Sequence, residues 1–535
     1  MKKSEMDDQK GLSRRAARNA LSLMLSVGVD RLASFIIILY IGRILGVSYL
    51  GDYGVVMSLL NIFQTLTMFG QNQIVLREVS RDRELAGSHL VNSGFLLIVT
   101  SLLFMLVMNG LVRLLGYDPA VLRYTWVAGL ALLPYSLMTM MEAIIQALER
   151  MKFVAIGKAI GQVVMVVSAL TVMAMGYDLR TVFAVIGIGW ALTALVYVAV
   201  LTRLGVRIPL RLDSRFLRHL LSLSWTFVLL GAFGMAFKQA DVLMLSRLGA
   251  TRFEHSILGF IPVPTPLEGY NELSKAITGY YTAAYKLAQI GQMILPALVL
   301  PIVPSLSRRF LESPERFSRL SHRAARLLLV VILPVAVGVT FYADLIIQLA
   351  YGDQYAGSVS VLRILIWMLV SFYANAAFYR TIIASNNEVA SLRIALINTV
   401  FTVILNYFLI PLFGAVGAAV VWVATVALGL FQNYIFIHRR VFRVRLGEVL
   451  LKPLVCAGFM AGSLFALLRL VETLQLEGAA DVVLRLLVLL VAGGIYLLAL
   501  WLTKTFTRQD IALGRRILHS ILDLLPWRGR GEVVA

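Results

Sequence analysis

Thiols, histidines and acids are all scarce in this 535-residue chain. Its one cysteine, Cys456, excludes an internal disulfide and any thiolate metal cluster. The six histidines (89, 219, 255, 322, 438 and 519) fall at no metal-ligand spacing, so neither a metal centre nor histidine-based catalysis is expected. No glycine-rich phosphate loop ending in Gly-Lys-Ser/Thr is present, which argues against ATP as a driving force, and no resident cofactor is expected. No clustered pair of carboxylates suggests metal-assisted glycosyl transfer, and no filter-like repeat suggests a channel. Charged residues make up only 15% of the chain, where soluble proteins carry about a quarter.

What fills the space is apolar. Hydrophobic residues make up 59%, and the mean hydropathy is +0.83. Fourteen runs long enough to cross a hydrocarbon core of about 30 Å stand at 20–42, 47–70, 88–112, 124–148, 154–175, 181–202, 219–243, 279–303, 325–347, 361–383, 391–411, 415–437, 449–469 and 482–503. The net charge of +20 does not point to nucleic acid, because the basic residues sit in short segments between these runs. With the N-terminus inside, 35 Lys/Arg fall on the inner side and 10 on the outer, and 4 lie within spans. That alternation predicts a multi-pass plasma (inner) membrane protein with both termini in the cytoplasm. The basic N-terminal segment lacks a small-residue cleavage site, so the first run reads as a retained helix.

The chain repeats itself. Leu45-Gly46 followed by YLGDYGVVM has a counterpart 203 residues on, Leu248-Gly249, with TGYYTAAYK beyond it. The fold class expected is therefore all-α integral membrane, with 14 transmembrane helices. They form two parallel six-helix repeats around a central cavity, plus two accessory C-terminal helices. The domains are 1–206, then 207–440 with an external insertion at 249–278, then 441–535, which holds the accessory pair and a cytoplasmic tail. Pro262, Pro264 and Pro266 rule out a regular helix within the insertion, and a short helical turn is the structure expected there.

Charge inside an apolar run costs several kcal/mol unless it faces a wet interior, so such residues are the site candidates. In the first run Ser22, Ser26, Asp30 and Ser34 share a helical face, with Arg31 beside it. In the seventh run Lys238 and Asp241 share a face. In the eighth, Tyr281, Tyr285, Lys286 and Gln289 lie on one polar side. The functional reading makes Arg31, Lys238, Lys286 and Arg380 ligands of an anionic group. Asp30, Asp241 and Glu142 then serve as charge partners, and Tyr281, Tyr285 and Gln289 line the same cavity. Guanidinium and ammonium groups are both suited to phosphate. The plainer reading is intrahelical pairing, such as Lys238 with Asp241, or snorkelling, for which Arg380 near a span end is well placed.

The motif Gly42, Arg43, Leu45, Gly46, Gly51, Tyr53, together with ADVLMLSRLG (240–249), TGYYTAAYKL (278–287) and Pro304–Arg308, resembles Wzx-like polysaccharide-export flippases. These belong to the superfamily that also holds the multidrug-and-toxin extruders and the lipid II flippase. The resemblance covers residues 15–440. It implies translocation of a polyprenyl-pyrophosphate-linked oligosaccharide from the cytoplasmic to the outer leaflet by alternating access, with cavity cations holding the pyrophosphate. Arg31, Lys238 and Lys286 match by general location, and the 249–278 insertion departs from the family's tight turn. It also implies a monomer among membrane lipids, working beside polysaccharide polymerase machinery and coupled to Na+ or H+. Two alternatives stay open at this point: a cation-coupled multidrug exporter of the same superfamily, and a membrane glycosyltransferase or polymerase.

Overall fold

The computed structural model describes residues 28–207, 212–257, 261–267, 269–299, 314–384, 388–440, 447–475 and 478–505. Ser22, Ser26, Pro301, Pro304 and both charged tails lie outside them. A helix underlies each apolar run: α1 (28–44), α2 (Val47–Met68), α3 (Gln71–Arg81), α4 (Leu85–Leu114), α5 (Pro119–Leu130), α6 (Leu132–Ala147), α7 (Met151–Ala174), α8 (Leu179–Arg203) and α9 (Ser214–Leu248). After a β-hairpin come α10 (Tyr270–Val299), α11 (Pro314–Tyr351), α12 (Gly357–Leu365), α13 (Met368–Ala384), α14 (Glu388–Arg440), α15 (Lys452–Thr473) and α16 (Ala479–Leu502). Among the described residues nine helical stretches are long and apolar enough to cross a membrane. There are ten if α2 and α3, bent by 40°, are taken as one.

Several starts are written into the sequence as acidic N-caps. Asp118 accepts the Ala120 N–H ahead of Pro119, Asp178 accepts that of Leu179, and Asp213 accepts those of Arg215 and Phe216. The opposite case is α14. Its 48-residue membrane-capable stretch, Arg393–Arg440, would run about 70 Å if straight, more than twice the hydrocarbon thickness. The path divides at Gly414 (φ 57, ψ −130), three residues past Pro411 and between the predicted runs 391–411 and 415–437.

The insertion corrects an expectation. In place of a helical turn, β1 (Thr251–Ile257) pairs antiparallel with β2 (Ile261–Pro266), with an irregularity between Phe253 and His255. The three prolines stand two apart, so their missing N–H groups all fall on one edge of β2 and the residues between them carry the ladder. Residues 270–278, assigned to the insertion, are instead the first turns of α10.

The chain forms two compact units. One holds Met1–Ala283 with Val403–Ala415, and the other holds Ala284–Thr402 with Val416–Ala535. In the first, Val75, Leu97, Met140, Ile144, Ile145, Val154 and Tyr197 form a buried core. The hairpin belongs to this unit, and Phe253 rests on the ring of Tyr407 at 6.2 Å. In the second, Tyr496 of α16 donates to the Val330 carbonyl of α11 at 2.8 Å. Arg485 of α16 pairs with Asp344 of α11 at 3.3 Å and with Asp481 at 2.9 Å.

Candidate functional site

The first unit gathers polar side chains from α1, α6, α7, α8, α9 and α10. On α7, Lys158 and Gln162 stand one turn apart and reach two different carboxylates. Lys158 Nζ meets Glu142 Oε1 of α6 at 2.9 Å, and Gln162 Nε2 donates to Asp30 Oδ1 of α1. Glu142 also accepts from Gln146 at 2.9 Å. Asp30 and Glu142 both act electrostatically on Tyr135 and Tyr197, which places the two carboxylates in one polar region. Tyr135 packs edge-on against Trp190 at 4.9 Å, and Tyr197 donates to the Val154 carbonyl at 3.0 Å.

The pairing expected within α9 does not form. Asp241, 1% exposed, accepts from Tyr281 of α10, and its other oxygen meets no donor among the described residues. Lys238 is exposed and points elsewhere, close enough to Arg31 of α1 for the two charges to act on each other. Three positions along a helix set a shared face. They do not set the partner, and Tyr281, forty residues on, takes Asp241.

Arg31 is exposed as well, and Asp30 beside it is engaged by Gln162. Among the described residues neither Arg31 nor Lys238 makes an ion pair. Two cations within electrostatic reach of each other, neither bonded to a carboxylate among the described residues, repel each other, and an anion between them gains from both. This is the arrangement an anionic group needs. Planar guanidinium supplies paired donors, and the ammonium supplies a point charge.

The second unit holds the other candidates. Tyr285 stacks edge-on against Trp422 at 5.8 Å, and Lys286 and Gln289 are half-buried on α10. Arg380 stands in α13, and its side chain lies outside the described residues. Sequence reasoning missed Lys158, Gln162, Tyr135 and Tyr197. The available signal was Lys158 and Gln162 at i, i+4 within an otherwise apolar run.

A family model described as "Polysaccharide biosynthesis protein" matches residues 16–310, and a second of the same description matches 271–360. The chain is 26% identical over 196 residues to a probable low-salt glycan biosynthesis flippase of Haloferax volcanii, a match covering 36% of this chain and 41% of that protein. The fold is similar to that of the lipid II flippase MurJ in an inward closed conformation. The TM-score there is 0.67 at 13% identity, over 89% of this chain and 98% of that one. It is also similar to an inward-facing multidrug-resistance transporter of the MATE family. The TM-score there is 0.61 at 15% identity, over 79% and 98% of the two chains.

Proposed function

This chain belongs to the polysaccharide biosynthesis protein family, and from that membership we propose that it moves a polyprenyl-pyrophosphate-linked oligosaccharide across the plasma membrane, from the cytoplasmic to the outer leaflet. The observation that carries the reading is the exposed pair Arg31 and Lys238, two cations to which no carboxylate is bonded among the described residues. In this reading they hold the pyrophosphate, and Lys286 and Arg380 of the second unit are separate candidates for contact with the ligand. Lys158 neutralises Glu142, while Asp30, which accepts from the uncharged amide of Gln162, keeps its negative charge beside Arg31. Asp241, buried against Tyr281, is the candidate for a Na+ or H+ gradient to act on. Fourteen crossings, two parallel six-helix lobes with domain limits at 206 and 440, and cytoplasmic termini complete the proposal. It is supported by the helix under each apolar run and by the 35-to-10 bias in basic residues. The flippase name of the Haloferax relative and the MurJ-like fold favour this reading. The chain spans less than half of that relative's length.

A drug exporter of the same fold needs a pocket suited to organic cations, and an unmatched Arg–Lys pair repels them. Translocation of a lipid-linked oligosaccharide in proteoliposomes tests the proposal. A charged hydrogen bond to phosphate is worth about 1.5–3 kcal/mol, so Arg31→Ala and Lys238→Ala should each slow transfer about 10- to 100-fold. Arg31→Gln and Lys238→Gln should rescue neither. Transfer at the parent rate in both alanine variants would mean that these cations do not hold the ligand.

A further inference from the structure

Arg31 lies near the start of α1, and the opposite end of that helix, about 20 Å along, leads into a second charged cluster of the first unit. Four element starts meet there: α2 with Ser48 and Asp52, α5 with its cap Asp118, α8 with its cap Asp178, and α10 with Glu272 and Lys275. Lys275 Nζ pairs with Asp118 at 2.8 Å and with Glu272 at 3.3 Å, and the Lys275 side chain is only 17% exposed. Ser48 donates to Glu272 at 3.5 Å, and Tyr124 donates to Asp178 at 3.0 Å. Asp52 is 5% exposed and makes no hydrogen bond or ion pair among the described residues. The charges acting on it most strongly are those of Lys275, which is positive, and of Asp118, Glu272 and Asp178, which are negative.

Beneath the cluster α2 and α10 touch backbone to backbone. A Cβ on Gly51 would overlap the Lys275 carbonyl, one on Gly279 would overlap the Val47 carbonyl, and one on Gly54 would press on Thr282. Glycine at these positions leaves no gap between the helices. The carboxylates above would force them apart if the ammonium were withdrawn, because like charges in a poorly hydrated corner repel strongly.

We propose that Lys275 bolts this end of the pathway shut: its ammonium holds the starts of α2 and α10 together by answering the carboxylates gathered around it, and the two helices part here when it leaves them. This rests on the transport reading above, since a bolt matters only in a protein that opens. It concerns a residue that the ligand-holding pair does not include.

Cys456→Ser removes the chain's only thiol, so a single reporter can be placed at Thr278→Cys, a buried position on α10. Labelling by a membrane-impermeant maleimide in vesicles then reads the opening of this end directly, without substrate. Lys275→Gln should raise the labelling rate about tenfold, and adding Asp52→Asn and Asp118→Asn should bring it back towards the parent. The exchange Lys275→Asp with Asp118→Lys should also restore slow labelling, which keeps the test decisive if Lys275→Gln alone does not fold. Labelling of Lys275→Gln within twofold of the parent, or an exchange variant that folds and stays fast, overturns the bolt. Labelling as expected in a protein that transfers no lipid-linked glycan would retain the bolt and retire the transport reading.

Discussion

Lys238 and Lys275 are the same residue, 37 positions apart on neighbouring helices of one unit, and they meet opposite fates. Lys238 is exposed, with Arg31 as its electrostatic neighbour and, among the described residues, no carboxylate bonded to it. Lys275 is largely covered and lies among carboxylates. A matched charge holds helices together, and removing one partner leaves an uncompensated group behind. An unmatched charge contributes nothing to packing and is free to act on something brought to it. Lys158, paired with Glu142, belongs with Lys275 in this respect, although its helix lies beside the candidate site.

The sharpest way to break the comparison is to remove each kind of lysine and measure thermal unfolding in detergent. Lys158→Met leaves Glu142, with an 11% exposed side chain, without its cation, and should cost about 3 kcal/mol. Adding Glu142→Gln should recover most of that loss. Lys238→Met should change stability by less than about 0.5 kcal/mol. Equal losses at 158 and 238 would erase the distinction between matched and unmatched.

A smaller effect sharpens the unmatched side. Pyrophosphate at ten times its dissociation constant should stabilise the parent by about 1.4 kcal/mol, read as a rise in melting temperature. The rise should vanish in the Arg31→Ala, Lys238→Ala double variant and persist in Lys275→Gln. A rise that survives in the double variant would put the anion elsewhere.

The smallest effect belongs to Asp118. The hydrogen bond from Lys275, followed by the Ala120 N–H, holds its carboxyl below the usual carboxylate range. Because the folded-state value is depressed, the stability it contributes is present above the ordinary carboxylate range and is lost as pH falls through the lower folded value. Asp118 is partly exposed, and solvent screening limits the contribution to about 0.5 kcal/mol. Asp118→Asn should therefore melt slightly below the parent at pH 7, and the two should converge in strong acid. A constant gap down to pH 2 would mean that the ion pair is not its source.

Much of the fold was legible because apolar runs are local signals; the acidic caps are local too, though they went unread. The helices fall where length and hydropathy put them, and Asp118, Asp178 and Asp213 stand at three starts. What was not legible depends on partners distant in sequence. The prolines of 262–266 excluded helix, but nothing local announced that Thr251–Ile257 would fold back to pair with them. The glycine–tyrosine motifs around Gly51 and Gly279 read as marks of an internal repeat, while in the fold they also press against one another. Of the site, Arg31, Lys238 and Asp241 were found as charges in apolar runs. Tyr281 was read as lining the cavity and not as the partner of Asp241, and Gln162 carries no charge to betray it.

Gly414 leaves one more mark on the molecule. From residue 394 to residue 437 the chain has no lysine or arginine, so the break within α14 carries no basic residue, and the charges nearest to it are Arg393 at one end and Arg439 and Arg440 at the other. What divides it is stereochemical: at φ 57 and ψ −130 only glycine sits without strain, and here the helical path is broken. Along these forty-odd residues the place of the break is thus encoded by the absence of a side chain, and the arginines at either end are left to orient what lies between.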